Sequence, residues 1–459
     1  MKKISLTEEK KEISGLFRVI KKRDFQGYTG VAVKNSIYQL STSIVGKFGG
    51  LLFTILMARI LMPELFGLYS LIISTVFIFI SLADLGIGSA IIKFTSTNKP
   101  NNGKAKGNFI YILKLKILVV SVLVVALLLS SKFLAENYYQ KPIFLGLLAG
   151  IFYLVAFGFN DFIQYIFQSV NNFKPILYKE IFTQIMRLLI VPLLTLYLLK
   201  QALSQEVNLF WIVLALSFVY FLSLVFLLLI SRNKFPFMET KAKKPSKKEM
   251  KKIFFFILPL SATVLTETFF GNVDILMLGK FVSASLIGFY KATFTLVLSI
   301  APLLAFSTVL YPIFTKLKGK RLEDGLKRSV RIILPLSIII FLGIFLFAPL
   351  IIKIILGNDY MDSVTLLRVF SVIMLSLPIT QIYSSYLISK GKSSLVMKFI
   401  LMSTVMNILL NVASILWLLP YGEWAAVYGV AGATILSRYF LLSLYIFAHR
   451  KERKNWRPS

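Results

Sequence analysis

Several ionisable and amide side chains stand inside stretches otherwise too apolar to carry them, and their spacing is helical. From Gln39, the residues Ser43, Lys47, Gly50 and Thr54 follow at steps of three and four. All five therefore share one helix face, with Lys47 near its middle. Thr263, Glu267, Phe270, Asp274 and Leu278 make a second such face, with Gly271 and Asn272 beside it. A charge at a bilayer centre costs about 2.5–3.5 kcal/mol on insertion scales, so such groups belong in a bundle interior or a wet cavity. Lys47 reads as a cavity cation placed to meet an anion, against the plainer alternative of a structural ion pair. Glu267 and Asp274 have two open readings, a cavity role or pairing with Lys47 or Arg187.

Further polar groups recur along the chain. Asp161 lies with Gln164 and Gln168, while Glu180 and Arg187 stand seven apart on one face; Lys291, Asn407 with Asn411, and Arg438 complete the set. Asp161, Glu180, Glu267 and Asp274 are the candidates for ion coupling or internal ion pairs. Asn407 and Asn411, four apart, are expected to hydrogen-bond between helices. Arg59 and Lys280 lie near segment ends, where reaching toward headgroups is the simpler reading. Asp84 precedes Leu-Gly-Ile-Gly and reads as ordering that turn.

Most covalent chemistry is excluded. The chain has no cysteine and one histidine, His449, placed in a basic tail, which removes thiol nucleophiles and histidine-rich metal sites. No Gly-x4-Gly-Lys-Ser/Thr loop is present, so nucleotide hydrolysis is not expected, and no cofactor is. With 57% hydrophobic residues, 16% charged residues and a mean hydropathy of +0.78, the chain is expected to be an integral membrane protein. The net charge of +32 then reads as cytoplasmic lysine and arginine facing anionic lipid headgroups, and not as a nucleic-acid surface.

The elements that must position these residues are apolar runs long enough to cross a hydrocarbon core of about 30 Å. About twelve are expected, at 37–58, 65–88, 110–131, 143–167, 176–199, 209–231, 253–279, 286–311, 329–350, 366–388, 395–419 and 427–448. Heavily basic segments fall on alternate connections: the N-terminal tail, the loop from Lys93 to Lys106, the stretch from Arg232 to Lys252, the loop from Lys316 to Arg328, and the C-terminal tail. Both termini are therefore expected in the cytoplasm. Residues 5–25 read either as an amphipathic surface helix, through Ile13, Leu16, Phe17 and Ile20, or as a solvated basic tail. The expected organisation is a basic segment 1–36, an N-lobe 37–231, a lysine-rich linker 232–252, a C-lobe 253–448 and a basic tail 449–459. The fold class is all-α: two pseudo-symmetric six-helix lobes around a central cavity that the stripes at 39–54 and 263–278 would line.

A repeat supports the two halves. Arg59 is followed eight residues on by Gly67 and ten on by Tyr69; Lys280 is followed in the same way by Gly288 and Tyr290. Together with Ala83-Asp84-Leu85-Gly86-Ile87-Gly88 and the late run from Asn407 through Pro420 to Thr434, these motifs make the chain resemble the polysaccharide (O-antigen-type) flippases of the multidrug/oligosaccharidyl-lipid/polysaccharide exporter superfamily. The resemblance covers about Val33 to His449. It implies alternating access and no enzyme activity, in a bacterial cytoplasmic membrane. The implied cargo is an undecaprenyl-pyrophosphate-linked oligosaccharide, with membrane lipids and polysaccharide assembly proteins as the other partners. The role of cavity cations on pyrophosphate or acidic sugars carries over to Lys47, Arg187 and Lys291. The alternatives are a cation-coupled drug or metabolite exporter of the same superfamily, or a membrane polysaccharide polymerase.

Overall fold

The computed structural model describes the backbone of residues 27–96, 103–231, 235–238, 241–305, 314–315, 317 and 319–455. Side chains at 259–271 and 301–305 lie outside that description, as does the expected amphipathic segment 5–25. The described chain is helical throughout, with thirteen α-helices: α1 (Gly27–Asp84), α2 (Ile87–Thr95), α3 (Lys104–Lys132), α4 (Phe144–Ser169), α5 (Lys174–Leu198), α6 (Gln205–Ser231), α7 (Lys247–Phe281), α8 (Ala284–Ala305), α9 (Gly319–Ile355), α10 (Val364–Ser371), α11 (Ile373–Ser389), α12 (Ser393–Leu418) and α13 (Glu423–Asn455). Among the described residues, eight helices are long and apolar enough to cross a membrane, and the bent pair around α10 and α11 makes up to nine. Twelve spans is the reading of the sequence; α1 alone holds two of them.

The break in α1 is local chemistry. Pro63 lacks an N–H and its ring crowds the preceding residue out of the helical region. Met62 accordingly takes φ 57° and ψ 170°, and the chain turns where Met62-Pro63-Glu64 is expected to turn it. A second break follows at Leu85 (φ 37°) and Gly86 (φ 80°). There Asp84 Oδ1 accepts the Gly88 N–H at 3.4 Å, the ordering role its position suggests.

The two halves meet mainly along α1 and α8. At the end opposite the basic loops, Arg59 Nε donates to the Ile355 carbonyl at 2.7 Å and its Nη2 to that of Ile354, so a cation sits on the C-terminal end of α9. The Tyr360 hydroxyl donates to the Ala58 carbonyl at 3.1 Å. Arg59 therefore joins the lobes, beyond the headgroup reach expected of it.

At the other end the central connection is fastened to the N-lobe. The Lys243 N–H donates to the Gly103 carbonyl at 3.0 Å, and Lys106 Nζ donates to the Met238 carbonyl at 2.6 Å. Phe237 is buried against Phe109, and Phe235 packs on Phe167. Ser246 then caps α7 in a capping box with Glu249, so helix begins at Lys247, inside the stretch assigned above to the linker.

Candidate functional site

A cavity of about 360 Å³ lies between the lobes, lined from both arms of α1, from α4, α5 and α6, and from α8. Three cations reach it from three helices: Lys47 on α1, Arg187 on α5 and Lys291 on α8. No carboxylate is among its described lining residues. Tyr69, Tyr153 and Tyr220 and the hydroxyls of Thr54, Ser70, Thr295 and Ser299 share the wall, together with Phe53, Phe66 and Phe77. A partly apolar pocket with a few convergent polar groups is the usual form of a ligand site. Its three cations are the charge type that an oxyanion would meet.

Arg187 is the most constrained of the three cations. Its Nη2 donates to Gln184 Oε1 at 2.6 Å, and its guanidinium lies 4.6 Å from the centre of the Phe53 ring. Gln39 and Ser43 share the face of Lys47 but are not lining residues; Gln39 is exposed and Ser43 half-buried. The Glu267 side chain lies outside the described residues.

Asp274 is not at the cavity wall, and it does not pair with Lys47 or Arg187 as one reading expected. It is 4% exposed inside the C-lobe, where Asn411 Nδ2 donates to its Oδ1 at 2.7 Å. The hydroxyls of Tyr290 and Thr434 both donate to its Oδ2, each at 2.7 Å. Asn407 Nδ2 donates to Thr434 Oγ1 at 3.2 Å, so both asparagines bond between helices as expected. The reason for the difference is the side of α7 that carries Asp274. It turns toward α12 and α13, where neutral donors already satisfy a buried carboxylate. Arg438 is buried nearby, 5.7 Å from the Phe294 ring centre. The Asn411 Oδ1 atom has no hydrogen-bond partner.

The N-lobe carries its own buried polar system, which sequence reasoning found in part. Glu180 Oε2 meets Lys179 Nζ at 3.4 Å, and Lys179 also donates to Gln164 Oε1 at 3.2 Å. Asp161 feels Lys179, Asp84 and Lys116 electrostatically. Lys116, Lys179 and Gln184 escaped the sequence reading. Lys116 is 1% exposed, with its Nζ donating to the Ala83 carbonyl at 2.8 Å. A lysine inside the apolar run Ile110–Leu129 was the available signal.

A last polar cluster ties the ends of three C-lobe helices on the side of the basic loops. His449 Nε2 lies 2.9 Å from both carboxylate oxygens of Glu323, and the Tyr386 hydroxyl donates to Glu323 Oε2 at 3.1 Å. The Tyr383 and Tyr386 rings meet the imidazole edge to face. His449, placed by sequence in the basic tail, is 7% exposed.

Comparison with known proteins bears on the family and the fold. Residues 32–318 match the family described as "Polysaccharide biosynthesis protein", and residues 259–413 match the family named MatE. No curated protein sequence matches the chain. Among solved structures, the fold is similar to a lipid II flippase MurJ in an inward closed conformation, with a TM-score of 0.67 at 14% identity over 90% of this chain and 87% of that one. It is also similar to an inward-facing multidrug resistance MATE family transporter of the MOP superfamily, with a TM-score of 0.62 at 13% identity over 92% and 96%. An outward-facing structure described in the same words gives 0.57 at 16% identity over 94% and 97%. With a family match over more than half of its length and eight helices apolar enough to cross a membrane among the described residues, the chain is a multi-pass membrane protein of the polysaccharide biosynthesis protein family.

Proposed function

We propose that the chain is a flippase carrying an undecaprenyl-pyrophosphate-linked oligosaccharide across a bacterial cytoplasmic membrane by alternating access. The observation that carries this reading is the convergence of Lys47, Arg187 and Lys291 on one cavity, with no carboxylate among its described lining residues. Three cations suit a pyrophosphate or an acidic sugar, because charge-assisted hydrogen bonds replace the hydration a headgroup loses. The polyprenyl tail stays in the bilayer throughout. Basic loops on alternate connections support a reading with both termini in the cytoplasm and the Arg59 end of the bundle outside. Asp274 is the proposed seat of ion coupling in the C-lobe, as a buried carboxylate on neutral donors. Enzymatic turnover of the oligosaccharide is not part of the reading.

A drug exporter of the same superfamily is favoured by the MatE match over residues 259–413. Organic cations need anionic sites, however, and the described cavity presents the opposite charge. Translocation of a fluorescent lipid-linked oligosaccharide in proteoliposomes, wild type against Lys47→Ala, is the test. A rate reduced about tenfold or more is expected; unchanged turnover removes Lys47 from the mechanism.

A further inference from the structure

The arginine of the cavity is held by a device that also decides how much of its charge is available. Glu180, Gln184 and Arg187 stand on one face of α5, spaced four and three apart. That face packs into a groove on α1 made by three glycines. A Cβ on Gly46 would lie 2.9 Å from Glu180 Oε1, one on Gly49 would lie 2.5 Å from Gln184 Oε1, and one on Gly50 would lie 3.6 Å from Arg187 Nη2. The side chains are therefore fixed from the α1 side as well as by one another.

Within the groove the hydrogen bonds form a directed chain. Arg187 Nη2 donates to Gln184 Oε1, and Gln184 Nε2 donates to Glu180 Oε1, both at 2.6 Å. Glu180 Oε2 is occupied by Lys179. A guanidinium offers only donors and a carboxylate only acceptors, so an amide, with one of each, is the side chain that bridges them. The amide is also neutral. It separates Glu180 from Arg187, and Glu180 pairs with Lys179 instead. The Arg187 Nε atom is buried without a hydrogen-bond partner, on a residue that lines the cavity. An unspent charged donor beside a cavity calls for an acceptor from the ligand.

We infer that Gln184 is a neutral spacer, and with Glu180 a positioning residue, that presets Arg187 as a fixed receptor for one oxyanion of the cargo while leaving its charge uncompensated. The inference rests on the cationic reading of the cavity proposed above. The oxyanion is either a lipid-borne phosphate or a sugar carboxylate. Both are acceptor pairs that a guanidinium fork can take in a bidentate way.

The test is binding to the full chain in nanodiscs. The probes are undecaprenyl pyrophosphate, a phosphate-free glycolipid bearing glucuronate, and undecaprenol as the uncharged control. Gln184→Glu keeps the volume and the acceptor but brings a carboxylate onto Arg187. We expect at least about a tenfold loss for one of the two anionic probes. Undecaprenol binding should be unchanged, and no further loss of anion binding should appear in an R187A background. Glu180→Gln, which retains the acceptor, should stay within about threefold of wild type. Gln184→Met frees the guanidinium without neutralising it, so its loss should be the smaller; a loss equal to that of Q184E overturns the spacer role. The proposal is also overturned if R187A weakens anion binding while Q184E weakens neither anionic probe. Undiminished anion binding by a K47A/R187A/K291A variant would instead overturn the cationic reading of the cavity itself.

Discussion

Gly67 and Gly288 face one another backbone to backbone across the junction of the lobes. A Cβ on Gly67 would lie 2.9 Å from the Gly288 nitrogen and 1.8 Å from the Ala284 carbonyl oxygen; one on Gly288 would lie 2.1 Å from the Pro63 carbonyl oxygen. These are the same two glycines that the sequence repeat pairs. The spacing from Arg59 and from Lys280 thus marks the place where each half leaves room for the other.

Backbone atoms cannot swing aside as a flexible side chain can, so Gly67→Ala must push α1 and α8 apart at this end. In the cysteine-free chain, spin labels can be placed through single cysteines at exposed Leu203 and Tyr421, one on each half. The label-to-label distance is expected to lengthen in the G67A protein. An unaltered distance distribution would mean that the glycine contact does not hold this end closed.

Met62 carries backbone strain that its side chain does not repay. Its φ of 57° with ψ near 170° is a region that glycine reaches freely, and the side chain is 48% exposed. Met62→Gly is expected to raise the melting temperature, by a net gain of about 1 kcal/mol once the entropy glycine loses is counted. A lowered melting temperature would show that the Met62 side chain contributes more than the strain costs.

Asp274 should respond differently to two substitutions. Asp274→Ala strands the donors of Tyr290, Thr434 and Asn411 in a buried site and should cost at least about 3 kcal/mol of stability. Asp274→Asn keeps the shape and removes the charge. In proteoliposomes its transport rate should no longer follow an imposed proton or sodium gradient. Persisting gradient dependence in D274N would place coupling elsewhere.

The Glu323 cluster predicts a pH dependence, and its sign follows from the contacts. Burial by itself would raise this carboxyl. The hydrogen bond and charge of His449, the Tyr386 hydroxyl and the Lys327 charge outweigh burial and hold it below its ordinary 4.5. A carboxyl lowered in the folded state contributes stability that is complete above its unfolded value and is lost as pH falls through the folded one. Wild type should therefore melt higher than Glu323→Gln at neutral pH, and the gap should close below about pH 4.5. A gap that widens on acidification would contradict the assignment.

What could be read from the sequence was what periodicity and punctuation encode. The turn at Met62-Pro63 and the equivalence of Gly67 and Gly288 were legible because a proline and two glycines state a backbone requirement directly. Lys47, Arg187 and Lys291 were named together as cavity cations only through the family resemblance, because no spacing relates residues on three separate helices. Asp274 was misplaced because a helix face shows which residues travel together, and not which neighbour that face meets. Gln184 was missed although it shares the face of Glu180 and Arg187, because its bridging role depends on how those two side chains bond to it. His449 was missed because its burial depends on Glu323 and Tyr386, which arrive from other helices.

The fastening of the central connection has a consequence for how the chain is made. Phe235, Phe237, Met238 and Lys243 bind residues that all precede them, on α3 and α4 and at Gly103. The first half can therefore seal its own surface before any of the second is synthesised. Ser246 and Glu249 then begin the next helix with a cap drawn from their own few residues. The lysine-rich stretch before the capping box is thus packed as a closing piece of the first lobe.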